Sequence, residues 1–544
     1  MDEKKVFLIG IDGATWNVLN PLIKAGAMPT LGELVQKGIS TTLNSTIPPD
    51  TATAWTSFQT GMNPGKHGIF DFHQYTPGEY SPSFINSERI GVETLWEILS
   101  RNQKKIILVN IPVTYPPSPI NGCMVTGLLT PSVRSNFTYP PHLAQEILQV
   151  EKDYTIITTQ HLFQTRTLDN FVDELIKTET KRANVMRYLL EKNAWDVAMI
   201  HFQSTDPLQH AVFWYLDEKN PDFTPQNYQT AQKLYASIDR NIAGLLKKVP
   251  ESALKIVLSD HGFGPVTKTV FINNILINEE FLRLKQRRFY SQKILSVYRF
   301  LRKIERKYIR SLFTFPKSVA HVAKTTLVDW SKTKAFVFTG WLYGLIYLNR
   351  RGREKEGIVE DGQDYEKLRE SIAKMLTTIK DPETGDRVFQ RIYKREEIYK
   401  GQNLKSAPDL IAVPETGYEC SQSFIETSDD ILKKNRLKKD HTGTHTCDGI
   451  CIFSGEDLDV SVNLERADII DVGPSLLYYS GCKIPSEMDG RVLKEIFSPE
   501  FRRDHPLLFE DKKARSKPEN GEDVFSREDR EKIEKRLKDL GYLD

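Results

Sequence analysis

The chain has 544 residues, of which 39% are hydrophobic and 27% charged, and its formal net charge is +2 at pH 7. This size and hydrophobic content suit a large globular protein of about two to four domains. The balanced charge excludes a general affinity for polyanions, so no nucleic acid polymer is expected as a partner, and no apolar run approaches the roughly 18 residues of a membrane-spanning helix.

The N-terminal residues, Met1–Lys5, lead directly into an apolar run and lack the apolar core and cleavage site of a signal peptide. The five cysteines are odd in number and widely spaced, which is typical of a reducing compartment. We therefore expect a cytoplasmic protein.

Strand-like apolar runs recur along the chain and alternate with helical patterns, such as the one from Tyr228 to Val249. This alternation predicts an α/β fold with a mainly parallel central sheet and helices on both faces. The runs cover residues 6–12, 105–111, 195–202, 254–259, 409–413 and 449–453.

A hydroxyl-rich segment follows Pro48 and Pro49. Asp50 and Thr51 are suited to cap the helix predicted after them. A hydroxyl at a helix N-terminus sits in a positive field, which favours both an alkoxide and the phosphate that it would attack. Thr51 is thus a candidate nucleophile, and the structural alternative is that it only caps the helix.

Three of the apolar runs lead into carboxylates. Asp12 ends the first run, Asp206-x3-His210 follows the third, and Asp260-His261 follows the fourth. In open α/β sheets such positions collect outside the carboxyl ends of the strands, and carboxylates with imidazoles are the ligands of a hydrolytic metal centre. Each motif alone also has an ordinary interpretation, as an Asp-Gly turn, a helix capped by Asp206 or a hydrogen-bonded pair. Their coincidence on one α/β pattern favours the metal centre.

His445 precedes its apolar run instead of following it, so we expect a connecting loop to carry it into the site. The alternative is a solvent-exposed loop histidine, and His441 competes with it for any role.

Between about residues 270 and 405 the strand and helix alternation is interrupted by an insert. Residues 281–325 carry thirteen Lys and Arg against one acid, Glu305. This segment predicts a basic helix packed on the core, or a lid that attracts an anionic substrate or rests on an anionic membrane surface.

The last part of the chain is polar, and residues 511–523 are predicted to form a linker. Ser526 begins a predicted helix whose narrow apolar stripe contains Ile533, Leu537 and Leu540. A short helix of this kind needs a surface to pack on, which is either its own core or a partner.

Taken in order, these motifs resemble the alkaline phosphatase superfamily, and within it the type I phosphodiesterase and nucleotide pyrophosphatase branch. The family pattern is an Asp after strand one, a nucleophilic Thr or Ser nine residues before Thr-Gly, then Asp-x3-His, Asp-His-Gly and Gly-x-His. The corresponding residues here are Asp12, Thr51 ahead of Thr60-Gly61, Asp206 with His210, Asp260-His261-Gly262, and Gly443-Thr-His445. The resemblance covers roughly residues 4–270 and 405–497.

The resemblance implies a two-metal phosphoric ester hydrolase that uses Thr51 as its nucleophile and forms a covalent phosphothreonine. Mixed nitrogen and oxygen ligands suit Zn²⁺ best, with Mn²⁺ or Fe as replacements. Asp206, His210 and His445 would hold one ion, and the other would be held by Asp12, Thr51, Asp260 and His261. The substrate would be a phosphorylated small molecule or a lipid-linked phosphate.

The predicted catalytic domain consists of residues 1–270 and 405–500, with 271–404 as an inserted lid or cap and 501–544 as a polar linker and C-terminal helix. The chain departs from the family pattern at Ala54, where nucleotide pyrophosphatases have an Asn that contacts a phosphoryl oxygen. The Thr51 backbone N–H is the candidate for that contact.

Other functions also fit parts of the pattern. The Cys-x-Pro-x-Arg setting of sulfatases is absent, which argues against sulfate ester hydrolysis. The alternatives are a phosphotransferase or phosphomutase of the same superfamily, and a non-catalytic scaffold that binds metal or phospholipid.

Overall fold

The structure is a computed structural model that describes residues 4–75, 78, 80, 83–159, 161–285, 327–421, 430–438, 440–511, 524–540 and 542. The predicted basic segment, residues 281–325, therefore lies outside the described residues except for its first five, and its role as a lid or a membrane contact stays a prediction.

The strands of the described residues are, in chain order, β1 (Val6–Ile11), β2 (Ile39–Asn44), β3 (His73–Gln74), β4 (Ser83–Phe84), β5 (Ile106–Ile111), β6 (Gly122–Thr126), β7 (Thr138–Tyr139), β8 (Val197–Phe202), β9 (Leu254–Leu258), β10 (Gly262–Phe271), β11 (Ala335–Thr339), β12 (Gly344–Leu348), β13 (Phe389–Lys394), β14 (Leu410–Pro414), β15 (Gly417–Ser421), β16 (Leu432–Lys434), β17 (Gly443–Thr446), β18 (Asp448–Ser454), β19 (Arg466–Asp468), β20 (Ile484–Pro485) and β21 (Phe509–Glu510).

The α-helices of the same residues are α1 (Trp16–Lys24), α2 (Pro29–Lys37), α3 (Thr51–Thr60), α4 (Pro64–His67), α5 (Leu95–Arg101), α6 (Leu143–Val150), α7 (His161–Thr165), α8 (Leu168–Lys192), α9 (Thr205–Leu216), α10 (Pro225–Leu246), α11 (Ile272–Asn278), α12 (Gln363–Thr378), α13 (Arg395–Ile398), α14 (Ile469–Tyr479), α15 (Pro499–Asp504) and α16 (Arg527–Leu540). None of the helices described is long and apolar enough to cross a membrane.

The central sheet has nine strands in the order β19-β2-β18-β9-β1-β8-β5-β6-β7. Strands β9, β1, β8, β5 and β6 run parallel to one another, whereas β18 and β7 are antiparallel to their neighbours. The predicted α/β fold with a mainly parallel sheet is therefore confirmed. Because β9, β1 and β8 are adjacent, the residues that follow these three strands meet at one edge of the sheet.

Both faces of the sheet are covered by helices, as the fully apolar parallel strands require. Along β1, Val6 and Leu8 pack with Trp55 of α3 on one face. Phe7 and Ile9 point to the other face, which is covered by α8 and α10. Helix α3 is thereby held against the centre of the sheet, directly beside the strand ends.

A smaller antiparallel sheet, with the order β11-β12-β14-β13, lies largely within the predicted insert. The apolar run at residues 409–413 is strand β14 of this sheet and not a strand of the central sheet, as the simple alternation had suggested. A short run that is buried on both faces does not reveal its partner strands, so its sheet could not be predicted.

Candidate active site

The predicted site residues lie together at the carboxyl ends of the three central strands. Asp12 directly follows β1, and Asp260 and His261 follow β9. Asp206 and His210 lie in the first two turns of α9, which follows β8. The helix begins at Thr205 and not after Asp206, so Asp206 does not cap it, and its side chain is available to the site.

His445 reaches the site on strand β17 and not on a loop, which corrects the expectation from its position in the sequence. Strand β17 pairs antiparallel with β10, and His445 lies opposite Phe263 in the register. Because β10 begins at Gly262, this pairing brings His445 next to the Asp260-His261 pair. The competing His441 lies beside Glu419, with its Nδ1 3.3 Å from Oε2, and belongs to neither ligand group.

The first group of potential metal ligands consists of Asp206, His210 and His445. The Oδ1 atom of Asp206 lies 3.2 Å from His210 Nε2 and 3.0 Å from His445 Nε2, and the two Nε2 atoms are 2.9 Å apart. The Nδ1 atoms contact the carbonyls of Gly443 at 2.9 Å and of Pro49 at 2.8 Å.

This arrangement fits a divalent cation. A carbonyl can only accept, so each Nδ1 of His210 and His445 carries the proton and each Nε2 presents a lone pair. Two lone pairs 2.9 Å apart repel each other unless a cation lies between them and the carboxylate. Burial lowers the pKa of His445 well below its usual value, which keeps the imidazole neutral and able to bind metal.

The second group consists of Asp12, Asp260 and His261. His261 Nε2 lies 3.5 Å from Asp12 Oδ1 and 3.2 Å from Asp260 Oδ2, and its Nδ1 lies 3.0 Å from the Gly262 carbonyl. Both oxygens of Asp12 and the Oδ2 atom of Asp260 are buried without a hydrogen-bond partner among the described residues.

Buried carboxylate oxygens without donors are costly, and the pKa values of Asp12 and Asp260 reflect this, although Asp260 Oδ1 accepts a hydrogen bond from the Gly13 N–H at 3.1 Å. Burial, together with the charge of Asp260, raises the pKa of Asp12 well above its usual range, and burial raises the pKa of Asp260 to about 8. A divalent cation beside these oxygens would offset the cost, so this group also fits a metal.

Thr51 is the first residue of α3, and its Oγ1 atom lies 3.3 Å from His261 Nε2. The Asp50 side chain caps the helix by accepting hydrogen bonds from the N–H groups of Ala52 and Thr53, at 3.0 and 3.4 Å. Asp50 is thus the cap, whereas the Thr51 N–H donates to no acceptor among the residues described. Ala54 lies buried in the helix, and its methyl side chain offers no polar contact.

Several side chains beside this site carry no motif in the sequence. His201 Nε2 lies 3.1 Å from Asp12 Oδ2, and a histidine within an otherwise apolar strand was the available signal for it. Trp341, from the turn between β11 and β12, lies 5.0 Å from the His445 ring. The Tyr542 hydroxyl donates to Asp206 Oδ2 at 2.5 Å, and no pattern near residue 542 indicates this.

The chain is similar to one family of known proteins and to several solved structures. The family model described as type I phosphodiesterase / nucleotide pyrophosphatase matches residues 6–448. Phosphonoacetate hydrolase from Sinorhizobium meliloti 1021, solved in complex with phosphonoacetate, is 14% identical with a TM-score of 0.53, over 88% of this chain and 96% of that chain. Human ectonucleotide pyrophosphatase / phosphodiesterase 5 is 14% identical with a TM-score of 0.48, over 90% and 97% of the two chains. No curated protein sequence matches the chain.

Proposed function

Because this chain belongs to the type I phosphodiesterase/nucleotide pyrophosphatase family, whose members are metal-dependent hydrolases of phosphoric ester and phosphoanhydride bonds, we propose that it cleaves such bonds with Thr51 as the nucleophile. The observation that carries the proposal is the position of Thr51 Oγ1, 3.3 Å from His261 Nε2 at a helix N-terminus. A covalent phosphothreonine follows from nucleophilic attack by this hydroxyl.

Two divalent ions fit the two ligand groups. Asp206, His210 and His445 would hold one of them. Asp12, Asp260 and His261, with Thr51 Oγ1, would hold the other. The mixture of imidazole and carboxylate supports Zn²⁺, with Mn²⁺ or Fe as replacements. Ions bound there would lower the pKa of the Thr51 hydroxyl and of water and would stabilise negative charge on the phosphoryl oxygens.

The residues of this chain then act in two steps. Thr51 loses its hydroxyl proton to solvent, and Oγ1 forms a bond to phosphorus while the bond to the leaving alcohol or phosphate breaks on the opposite side and the leaving oxygen takes a proton from solvent. Water later attacks the same phosphorus, the bond to Oγ1 breaks, and the phosphate or phosphate monoester departs while Oγ1 regains a proton. The Thr51 N–H donates a hydrogen bond to a phosphoryl oxygen in both steps. This donor is available at the helix N-terminus because Asp50 accepts from the next two N–H groups, those of Ala52 and Thr53.

The substrate that we propose is a phosphorylated small molecule or a lipid-linked phosphate. The balanced charge of the chain, with a formal net charge of +2, supports this over a nucleic acid polymer.

The test is hydrolysis of an aryl phosphate diester and an aryl phosphate monoester by the Zn²⁺-loaded protein, with metal content measured by mass spectrometry. We expect about two ions per chain and turnover that Thr51→Ala reduces by at least about a thousandfold while the ions remain bound. Thr56→Ala is the matched control, because the Thr56 hydroxyl only donates to the Ala52 carbonyl at 2.7 Å within the same helix. Equal activity in Thr51→Ala and Thr56→Ala would rule out Thr51 as the nucleophile.

A further inference from the structure

Tyr542 fills the cleft beside the candidate nucleophile. Its ring stacks on Phe72 at 4.9 Å and 13° and lies 5.0 Å from Trp341, and the side chain is fully buried. Its hydroxyl donates to Asp206 Oδ2 at 2.5 Å, and the Thr51 side chain is among the polar neighbours that influence the pKa of this hydroxyl. One side chain thus lies beside both the proposed nucleophile and a proposed metal ligand.

The backbone directs Tyr542 into this position. The Tyr542 N–H donates to the Leu537 carbonyl at 2.8 Å, which is the six-to-one hydrogen bond that ends a helix and turns the chain away from its axis. Ile533, Leu537 and Leu540 bury the apolar stripe of α16 against the body of the protein. The predicted C-terminal helix therefore docks on its own chain and presents Tyr542 to the site.

Substrate cannot reach Thr51 in this arrangement. Thr51, Asp206 and His210 are each 0% exposed. In-line attack requires the phosphorus atom to come within about 3–3.5 Å of the nucleophile. An element that covers the cleft must therefore move before a phosphoryl group can bind.

Trp341 and Tyr542 both lie beside His445, and they differ in how their backbones are held. Trp341 lies between two paired strands, and its neighbour Gly340 donates its N–H to Asp71 Oδ2 at 2.9 Å. Tyr542 follows a single 14-residue helix, which is about the length at which an isolated helix is only marginally stable.

Besides its buried apolar stripe, this helix is attached to the body through Arg536, and the segment before it through Phe525. Arg536 donates to the carbonyls of Thr130 and Pro131, the latter at 2.9 Å. The ring of Phe525 stacks on Tyr115 at 5.9 Å. Among the described residues, some ion pairs of α16 connect residues of the helix with one another and would move with it: Arg527–Glu531, Glu528–Lys532 and Glu534–Lys538.

We propose that Tyr542 is an intramolecular competitor of the substrate: its ring occupies the place of the substituent carried by the phosphoryl group, and α16 must release it before substrate binds. The proposal rests on the proposed function, because it assigns the space beside Thr51 to the substrate. Tyr542 accordingly determines how tightly the site binds its substrate and which substrates are able to displace the ring.

The test uses phenylphosphonate as a probe. Its ring would take the place of the Tyr542 ring, and its phosphonate would lie in the space beside Thr51. Its affinity is measured by calorimetry in the Zn²⁺-loaded full chain carrying Thr51→Ala, so that the readout does not depend on turnover. If the released form is about 1–10% populated, the apparent affinity is reduced by the same fraction. We therefore expect Tyr542→Ala to tighten binding by about tenfold to a hundredfold.

A second variant acts at a distance from the site. Arg536→Ala removes the hydrogen bonds that attach α16 to the body and changes no residue of the site. We expect this variant, like Tyr542→Ala, to bind phenylphosphonate more tightly than the parent. Lys535→Ala is the matched control, because Lys535 is an exposed cation one position before Arg536. The affinity of this control variant for phenylphosphonate should equal that of the parent. Hydrogen exchange of residues 527–540 should become faster when phenylphosphonate binds.

The possible results separate the two proposals. Unchanged or weaker binding in both Tyr542→Ala and Arg536→Ala would overturn the competitor role, and so would an absence of binding in all variants. Protection of α16 by phenylphosphonate would also contradict it, since the probe would then bind beneath a docked helix. A protein that binds the probe as expected but hydrolyses no ester would overturn the proposed function alone.

Discussion

Asp12 shows how one residue can satisfy two interpretations of a motif. The Asp-Gly turn exists, because Gly13 has a φ of 64°, a left-handed conformation that favours glycine. A Cβ atom at Gly13 would lie only 2.6 Å from the Phe263 ring. The same turn places the Asp12 carboxylate beside Asp260 and His261. The structural and the functional interpretations were therefore not exclusive.

Glu179 is a buried carboxylate that holds the segment ahead of Asp206. Its Oε1 atom accepts hydrogen bonds from the N–H groups of Gln203, at 3.1 Å, and Ser204, at 2.8 Å. Its Oε2 atom pairs with Arg182, and neither side chain is exposed. Nothing in the sequence of a helix interior indicates such a role, because it depends on the distant strand β8.

We predict that Glu179→Gln lowers the free energy of unfolding by about 3–5 kcal/mol, because it leaves the Arg182 charge buried without its partner. The variant should also bind less Zn²⁺, since the segment before Asp206 loses a charged acceptor. Chemical denaturation and metal content measure these two effects. The double variant Glu179→Gln, Arg182→Met should recover part of the lost stability, and no recovery would show that the ion pair is not the cause.

At the scale of elements, long periodic patterns were predictable and strand partners were not. The helix predicted from Tyr228 to Val249 is α10, which begins earlier because Thr224 caps it and Pro225 occupies its first turn. The ends of β1, β8 and β9 could be predicted because each apolar run stops at a carboxylate or shortly before one. The strand that carries His445 could not, because a four-residue strand has too little pattern and depends on pairing with β10.

Strand β10 is also connected to the predicted insert by a buried charge. Lys268 Nζ lies 2.6 Å from Asp381 Oδ2, which is buried, and 2.7 Å from Glu383 Oε2, whose side chain is 61% exposed. Burial alone would raise the pKa of Asp381, but hydrogen bonds from Lys268 and Tyr418 outweigh it and hold the pKa at about 2.

We predict a pH-dependent loss of stability in Asp381→Asn. Since the pKa of Asp381 is lower in the folded state than its usual value of 3.8, the carboxylate stabilises the fold fully above about pH 4, and this contribution is lost as pH falls towards 2. At pH 7 the free energy of unfolding of the variant should be lower than that of the parent by about 1–2 kcal/mol, after allowance for solvent screening.

Chemical denaturation measures this effect. The difference in the free energy of unfolding between the Asp381→Asn variant and the parent should become smaller as the pH is lowered from 5 towards 3. Glu383→Gln is the control and should lower the free energy of unfolding by less than about 0.5 kcal/mol, because the Glu383 side chain is itself exposed. A difference for Asp381→Asn that stays constant with pH would show that charge is not involved.

At the scale of the whole molecule, the candidate site unites residues from position 12 to position 542. The ordered motifs were sufficient to predict the family and the α/β fold. The carboxylates and imidazoles that they name lie together as two candidate ligand groups, and their role as metal ligands stays a prediction. The positions of Trp341 and Tyr542 beside the site could not be predicted. Trp341 comes from a separate antiparallel sheet, and Tyr542 follows a helix for which the sequence did not decide between its own core and a partner as the docking surface. Local sequence patterns indicate secondary structure, whereas the contacts of Trp341 and Tyr542 with the site depend on how elements distant in the sequence pack together.

Thr51 is the residue that we propose to attack phosphorus and to carry the phosphoryl group covalently. The most direct measurement is mass spectrometry of the Thr51 peptide after rapid acid quenching of the Zn²⁺-loaded protein with an aryl phosphate diester. We expect a mass increase on Thr51 equal to the retained phosphoryl ester, present during turnover and absent in Thr51→Ala. Turnover at an undiminished rate without any adduct on Thr51, or an adduct on another residue, would contradict the account.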